Sequence, residues 1–240
     1  MTTATFSKDA WYAVAAVDAV GPGEVMPATL FGTERVLWRD ADGEAHVWDN
    51  RCIHRGMRLS FGFVDGDRLC CRYHGWAFGP DSQCVRIPAH PDMTPPGDFR
   101  IPAAPSVEAG GLVWTTLDDA AEFPGVSALD GLVFCRTVAF AADAAAVAAI
   151  LDDAEFALPG GGAPDGFDRS LEPGGITVIR ASGENGVTLA VALQPVGPGT
   201  CQAHVFAGPV SGDAAALRRH FARWAQRLRL QVAAGQEAAA

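Results

Sequence analysis

The sequence predicts an α+β protein, an all-β first half followed by a second half in which strands and helices mix. Three observations predict it. Short apolar runs separated by turn residues fill residues 10–117, as expected of many short strands. An alanine-rich, helix-like stretch and three strand-like runs come next. The chain then closes on a stretch with apolar residues at helical spacing.

In chain order, "WYAVAAV" reads as the first strand, closed by the turn "GPGEV". "ERVLWRD" and "EAHVWDN" flank Ala41–Asp42–Gly43 and read as a hairpin. "IPAHPDMTPPGDFRIPAAP" (87–105) reads as an extended surface arm, because proline cannot donate to a sheet ladder. "GGLVWTTL" closes the β section, and "DDAAEFPGVSALDG" (118–131) reads as a boundary dividing the chain into 1–119 and 120–240. Beyond it come a strand, "LVFCRTVAF", the helix-like "AADAAAVAAILDDAEFAL", and a loop, "PGGGAPDGFD". Strands "ITVIRASG", "GVTLAVALQP" and "TCQAHVFAGP" follow. In the final stretch Leu217, Phe221, Trp224 and Leu228 form one stripe opposite Arg218, Arg219, Arg223 and Arg227, the pattern of a packed helix with a solvated basic face.

Composition bounds the function. With 240 residues, 49% hydrophobic and 19% charged, the chain can bury a real core. No apolar run reaches membrane-spanning length, so no membrane role is expected. The net charge of −10 argues against a nucleic-acid partner, which needs clustered cations. Residues 1–10 lack the charged head and apolar run of a secretory signal, so a cytoplasmic protein is expected. Its six cysteines then read as thiols or ligands, not disulfides.

Chemistry concentrates in "NRCIHRGMRLSFGFVDGDRLCCRYHGW" (50–76): Cys52-x-His54, sixteen residues, then Cys71-x-x-His74. Thiolates and imidazoles suit zinc or an iron–sulfur cluster. Zinc sites usually pair cysteine with cysteine and histidine with histidine. Here each short loop supplies one of each, which suits a two-iron cluster with both cysteines on one iron and both histidines on the other. Gly56 and Gly75 sit where a tight loop carries backbone close to such a cluster. A zinc knot stays open at this level. Cys70, Cys84, Cys135 and Cys201 have no partner spacing and read as core thiols. His46, His90, His204 and His220 read as structural.

These stretches resemble the Rieske domain of ring-hydroxylating and demethylating oxygenases, through "CIHRGMRLSFG…CRYHGWAF" with its CxHRG and CxYHGW halves. "WYAVA", "VLWRDADGEAHVWDNRC", "CVRIPA" and "GGLVWTTLDD" resemble the phthalate-oxygenase or vanillate-demethylase type. The resemblance implies an all-β Rieske domain followed by a reduced helix-grip domain. It implies one 2Fe–2S cluster, with Cys52 and Cys71 on the buried iron and His54 and His74 on the outer one.

In that family the cluster feeds a mononuclear iron whose first ligands lie on N-x-x-D-x-x-H-x-x-x-x-H. Here "ILD" places Asp152 on the family's aspartate, Glu155 and Gly160 on the two histidines, and Ala149 on the asparagine. No aspartate follows Asp213 to serve as the third ligand. The departures imply that mononuclear iron is absent. Asp152, which in the family bridges to the cluster histidine of a neighbouring subunit, implies an inter-subunit relay.

The expectation is therefore an electron-transfer or scaffold subunit in a trimer or a mixed trimer or hexamer. Its partners would be a homologous oxygenase subunit with an intact iron triad and a ferredoxin or flavin reductase. A self-sufficient oxygenase with an unorthodox iron site and a stand-alone redox or ligand-binding module are the alternatives.

Overall fold

The computed structural model describes residues 4–183, 186–210 and 212–237. Sixteen strands run as β1 (Tyr12–Ala16), β2 (Val25–Leu30), β3 (Thr33–Arg39), β4 (Ala45–Asp49), β5 (Phe63–Asp65), β6 (Arg68–Cys70), β7 (Ala77–Phe78), β8 (Cys84–Arg86), β9 (Ala103–Ala104), β10 (Ser106–Ala109), β11 (Leu112–Thr115), β12 (Val133–Phe140), β13 (Gly166–Glu172), β14 (Ile176–Ser182), β15 (Thr188–Gly197) and β16 (Thr200–Gly208). Among the described residues two α-helices, α1 (Ala144–Leu151) and α2 (Ala214–Glu237), and three single-turn 3-10 helices (Val17–Ala19, Leu59–Phe61 and Ser127–Leu129) complete the order. The α+β class is as the sequence predicts.

Four antiparallel sheets stack in layers. The outermost, β5-β6-β7-β8, carries the Cys/His loops. Its core, with Trp38, Trp48, Leu69 and Phe78, lies against β2-β3-β4-β9. In the third sheet, β1-β11-β10, strands β1 and β11 are buried on both sides. Alternation along β11 explains this: Val113 faces the β2–β4 layer, while Leu112 and Trp114 face the five-stranded sheet. That last sheet, β12-β16-β15-β14-β13, packs its other face on α1 and α2. The two halves thus share one apolar wall.

The expected hairpin at Ala41–Gly43 forms between β3 and β4, with Arg39 opposite Ala45. The proline arm is mostly exposed, but Ile87 and Ile101 anchor it in the first core and its end pairs as β9 with β4. On α2, Leu217, Phe221, Trp224 and Leu228 are buried, and Arg218, Arg219, Arg223 and Arg227 are exposed.

Two elements differ from the sequence reading. The helix expected through Leu158 stops at Leu151, with Asp152 as its C-cap. Glu155 therefore lies in a loop, not on a helix. The loop expected at 159–168 gives way at Gly166 to β13, which among the described residues is an edge strand paired with β14.

Candidate metal centre

Two loops build the site, and they are built alike. In the first, the Cys52 N–H donates to the Met57 carbonyl at 2.8 Å and the Gly56 N–H to the Cys52 carbonyl at 2.8 Å. In the second, the Cys71 N–H donates to the Trp76 carbonyl at 2.8 Å and the Gly75 N–H to the Cys71 carbonyl at 2.9 Å. Gly56 (φ +69°) and Gly75 (φ +71°) hold the left-handed conformation that closes each loop. At Gly75 a Cβ would also stand 2.9 Å from the Pro88 ring.

The loops sort the four side chains by polarity. Cys52 and Cys71 are 3% and 2% exposed and belong to the first core, whereas His74 is exposed and His54 half-buried. The imidazoles sit side by side, ring centroids 4.7 Å apart. Trp76 lies flat on His54 at 4.6 Å, and Phe99 from the proline arm stacks behind Trp76 at 5.6 Å.

Electrostatics follow this sorting. The two thiols share a hydrogen bond, which pulls Cys71 down to about 6 and lifts Cys52. Backbone N–H groups of Tyr73 and His74 also donate to Cys71, and those of His54 and Arg55 to Cys52. Each loop therefore turns amides toward its own sulfur and favours thiolate. His54 lies below the ordinary imidazole range, first through desolvation and then through neighbouring His74 and Arg55.

The donor set fits a two-metal centre. Among the described residues, the group whose donor atoms come within 4.8 Å of one another is Asp40, Glu44 and His46, not the four loop residues. Ligands of a single tetrahedral zinc, each about 2.0–2.3 Å from the ion, would converge more tightly than that. Two sulfurs inside and two imidazoles outside suit a larger inorganic core.

A family model described as the Rieske [2Fe-2S] domain matches residues 10–105. This segment thus resembles a Rieske [2Fe–2S] domain. The chain is 40% identical over 121 residues to the oxidoreductase NdmD of Pseudomonas putida, a match covering 50% of this chain and 20% of that protein. It is 41% identical over 116 residues to the oxygenase component of chloroacetanilide N-alkylformylase from Rhizorhabdus wittichii, covering 48% and 32%. The match thus spans only a minor part of each relative. Over nearly its whole length the chain shares a fold with NdmA of Pseudomonas putida CBB5, at TM-score 0.74 and 22% identity over 94% of this chain and 81% of that one. With dicamba monooxygenase the TM-score is 0.70 at 19% identity, over 90% and 80%. The Rieske oxygenase type read from the sequence stands on these likenesses, the second half in fold alone.

The remaining candidates are scattered. Asp152 is half-buried at the end of α1, and Glu155 and Gly160 are exposed in the loop beyond it. Trp224 donates to the Glu155 carbonyl at 3.0 Å, and His220 is bonded to the Ala157 carbonyl at 2.7 Å. His204 is 1% exposed and committed to Thr137 and Gln194. Burial pushes its pKa down to about 4. Cys70, Cys84 and Cys201 are buried thiols, and Cys135 is half-buried. Sequence reasoning passed over the buried His46–Asp40 pair, 3.1 Å apart, under Trp38. Its signal was there: Asp40 and His46 bracket the predicted hairpin turn. Among the described residues no helix is long and apolar enough to cross a membrane.

Proposed function

We propose that Cys52, His54, Cys71 and His74 hold one 2Fe–2S cluster, and that the chain serves as an electron-transfer and scaffold subunit of a heteromeric Rieske oxygenase. Residues 1–119 form the cluster-bearing part and residues 120–240 a reduced helix-grip part. The observation that carries the reading is the paired loops, with sulfurs in the core and imidazoles at the surface. When bound, the cluster supplies a one-electron store whose potential histidine ligation raises above that of an all-cysteine ferredoxin.

The chain's own residues do the rest. The amides of His54, Arg55, Tyr73 and His74 hold the sulfurs as acceptors. Trp76, braced by Phe99, fixes the His54 ring plane and shields that side from water. His54 and His74 form the exit to the surface.

In the second half, Glu155 and Gly160 stand where the family places histidines. An imidazole pair with a carboxylate is what a mononuclear ferrous site needs, so this chain is read as holding no such iron. The electron would go to a homologous partner subunit with an intact triad, in a trimer or a mixed trimer or hexamer, with Asp152 as a relay between subunits. A ferredoxin or flavin reductase would supply it. One relative named as an oxygenase component and another named as the iron-sulfur subunit of a monooxygenase system support a reading in which the work is divided among subunits.

Turnover tests the role. The purified chain with reductase and O2 is expected to make no product, and adding a homologous subunit with the D-x-x-H-x-x-x-x-H helix is expected to restore it. Product from this chain alone would overturn the reading.

A further inference from the structure

A second set of metal-binding side chains gathers at the turn of the β3–β4 hairpin, at the opposite end of β4 from the Cys52 loop. The donor atoms of Asp40, Glu44 and His46 all lie within 4.8 Å of one another. These are not simply surface acids: Asp40 and His46 are 5% and 8% exposed, and of the three only Glu44 is open to solvent. His46 Nε2 stands 3.1 Å from Asp40 Oδ2, and the Glu44 N–H donates to Asp40 Oδ1 at 2.9 Å. Trp38, opposite His46 in the ladder, stacks on the imidazole with ring centroids 4.5 Å apart and fixes its plane. Glu44 and Glu108 line a neighbouring cavity of about 260 Å³.

Charge calls for a cation here. A buried carboxylate is paired or binds a metal. Arg39, the neighbour of Asp40, is committed elsewhere: it donates to the Val20 and Gly43 carbonyls at 2.8 and 2.6 Å and pairs with Glu108. A proton on His46 would offset one of the two carboxylate charges of Asp40 and Glu44, whereas a divalent ion offsets both. Spacing agrees. Neighbouring donors of a tetrahedral zinc, each about 2.0–2.2 Å from the ion, stand roughly 3.3 Å apart, close to the His46–Asp40 separation of 3.1 Å. One imidazole nitrogen with two carboxylate oxygens suits zinc better than magnesium or calcium, which take oxygen shells. We propose that Asp40, Glu44 and His46 bind one zinc ion, with water in the fourth position. The ion replaces the hydrogen bond between His46 and Asp40, and His46 binds it as neutral imidazole with its proton on Nδ1. Trp38 supports the ligand ring from behind. Placed there, zinc clamps the two sides of the hairpin turn. Ferrous ion, lower in the divalent affinity order, is held more weakly. No residue of the two Cys/His loops takes part, so the site is independent of the cluster reading.

Equilibrium dialysis of the purified full chain against zinc tests the site, with the zinc shell read by X-ray absorption. Compared with His46→Gln, whose amide can still bond Asp40, the wild type is expected to take up one more zinc per chain. The added ion should show nitrogen and oxygen at about 2.0 Å and no sulfur at about 2.3 Å. Glu44→Gln, at an exposed position, should weaken that binding at least tenfold. Asp42→Asn, which alters an exposed acid of the same turn outside the cluster, should change it less than twofold. Zinc should raise the melting temperature of the wild type by at least about 3 °C and leave that of His46→Gln where it stands. Equal uptake by the wild type and His46→Gln overturns the proposal. So does an equal loss in Asp42→Asn, which would mean a diffuse acidic turn. A sulfur-containing shell for the added ion, or displacement of zinc by a large excess of magnesium or calcium, overturns it as well. Should His46→Gln fail to fold, Glu44→Gln against Asp42→Asn decides, since both positions are exposed.

Discussion

The indole N–H of Trp224 on α2 donates to the backbone carbonyl of Glu155 at 3.0 Å. This bond ties the final helix to the loop that follows α1. Around it Phe156 packs edge-on to Phe167 and Phe221, at 5.0 and 5.2 Å. The space beside the loop is filled by aromatic rings.

Trp224→Phe keeps most of that packing and removes the donor. A net loss of about 1 kcal/mol in unfolding free energy is expected, the ordinary worth of one hydrogen bond, with cluster absorbance unchanged. Urea midpoints check the first part and the visible spectrum the second. An unchanged midpoint would show that the bond does not hold the loop.

The two loop glycines should respond unequally. Gly56→Ala meets no atom within 4 Å and incurs only the left-handed backbone cost, about 1–2 kcal/mol. Gly75→Ala bears that cost and also drives a methyl group to 2.9 Å from the stiff Pro88 ring. Cluster absorbance per chain should therefore fall further for Gly75→Ala than for Gly56→Ala. The reverse order would mean that the loops are not equivalent frames.

Buried His204 makes stability depend on pH. Its folded pKa of about 4 lies below the unfolded imidazole value of about 6.5. Between these values the unfolded chain binds more protons than the folded one, so stability falls as pH drops from 6.5 toward 4. The full effect is about 3 kcal/mol. His204→Gln removes this component, and its urea stability should decline less than wild type between pH 7 and pH 4.5. Equal declines would contradict the assignment.

Asp152→Asn should leave the cluster and the fold of the isolated chain unaltered, since Asp152 is a half-buried cap whose side chain is not needed to end α1. In the assembled oxygenase the same change should slow single-turnover electron delivery at least tenfold. Normal delivery would return Asp152 to an ordinary helix-end acid.

Much of this was legible in the sequence, for physical reasons. The two alike loops that carry Cys52, His54, Cys71 and His74 could be found because tight loops bring such side chains together at short fixed spacings with glycine at the turn. The α2 stripe was legible because Leu217, Phe221, Trp224 and Leu228 repeat at helical period. The early end of α1 was not. Alanine-rich composition favours helix through residue 158, but Trp224 and His220 capture the carbonyls of Glu155 and Ala157, so tertiary contacts win over local propensity. Strand β13 was hidden because "GFDRSLE" has no buried residue to mark an inner face; an edge strand of half-exposed residues leaves no clean alternation. The shared wall of β1 and β11 was half legible: "GGLVWTTL" reads as a strand, but sequence does not show that both its faces are covered.

Metal and sulfide content per purified chain tests the central claim most directly. The account predicts two irons and two acid-labile sulfides, lost together in Cys52→Ser and Cys71→Ser, with no third iron after reconstitution with excess ferrous ion. A single zinc without sulfide would contradict the two-iron cluster, and a tightly held third iron would contradict the assignment of oxygen chemistry to a partner.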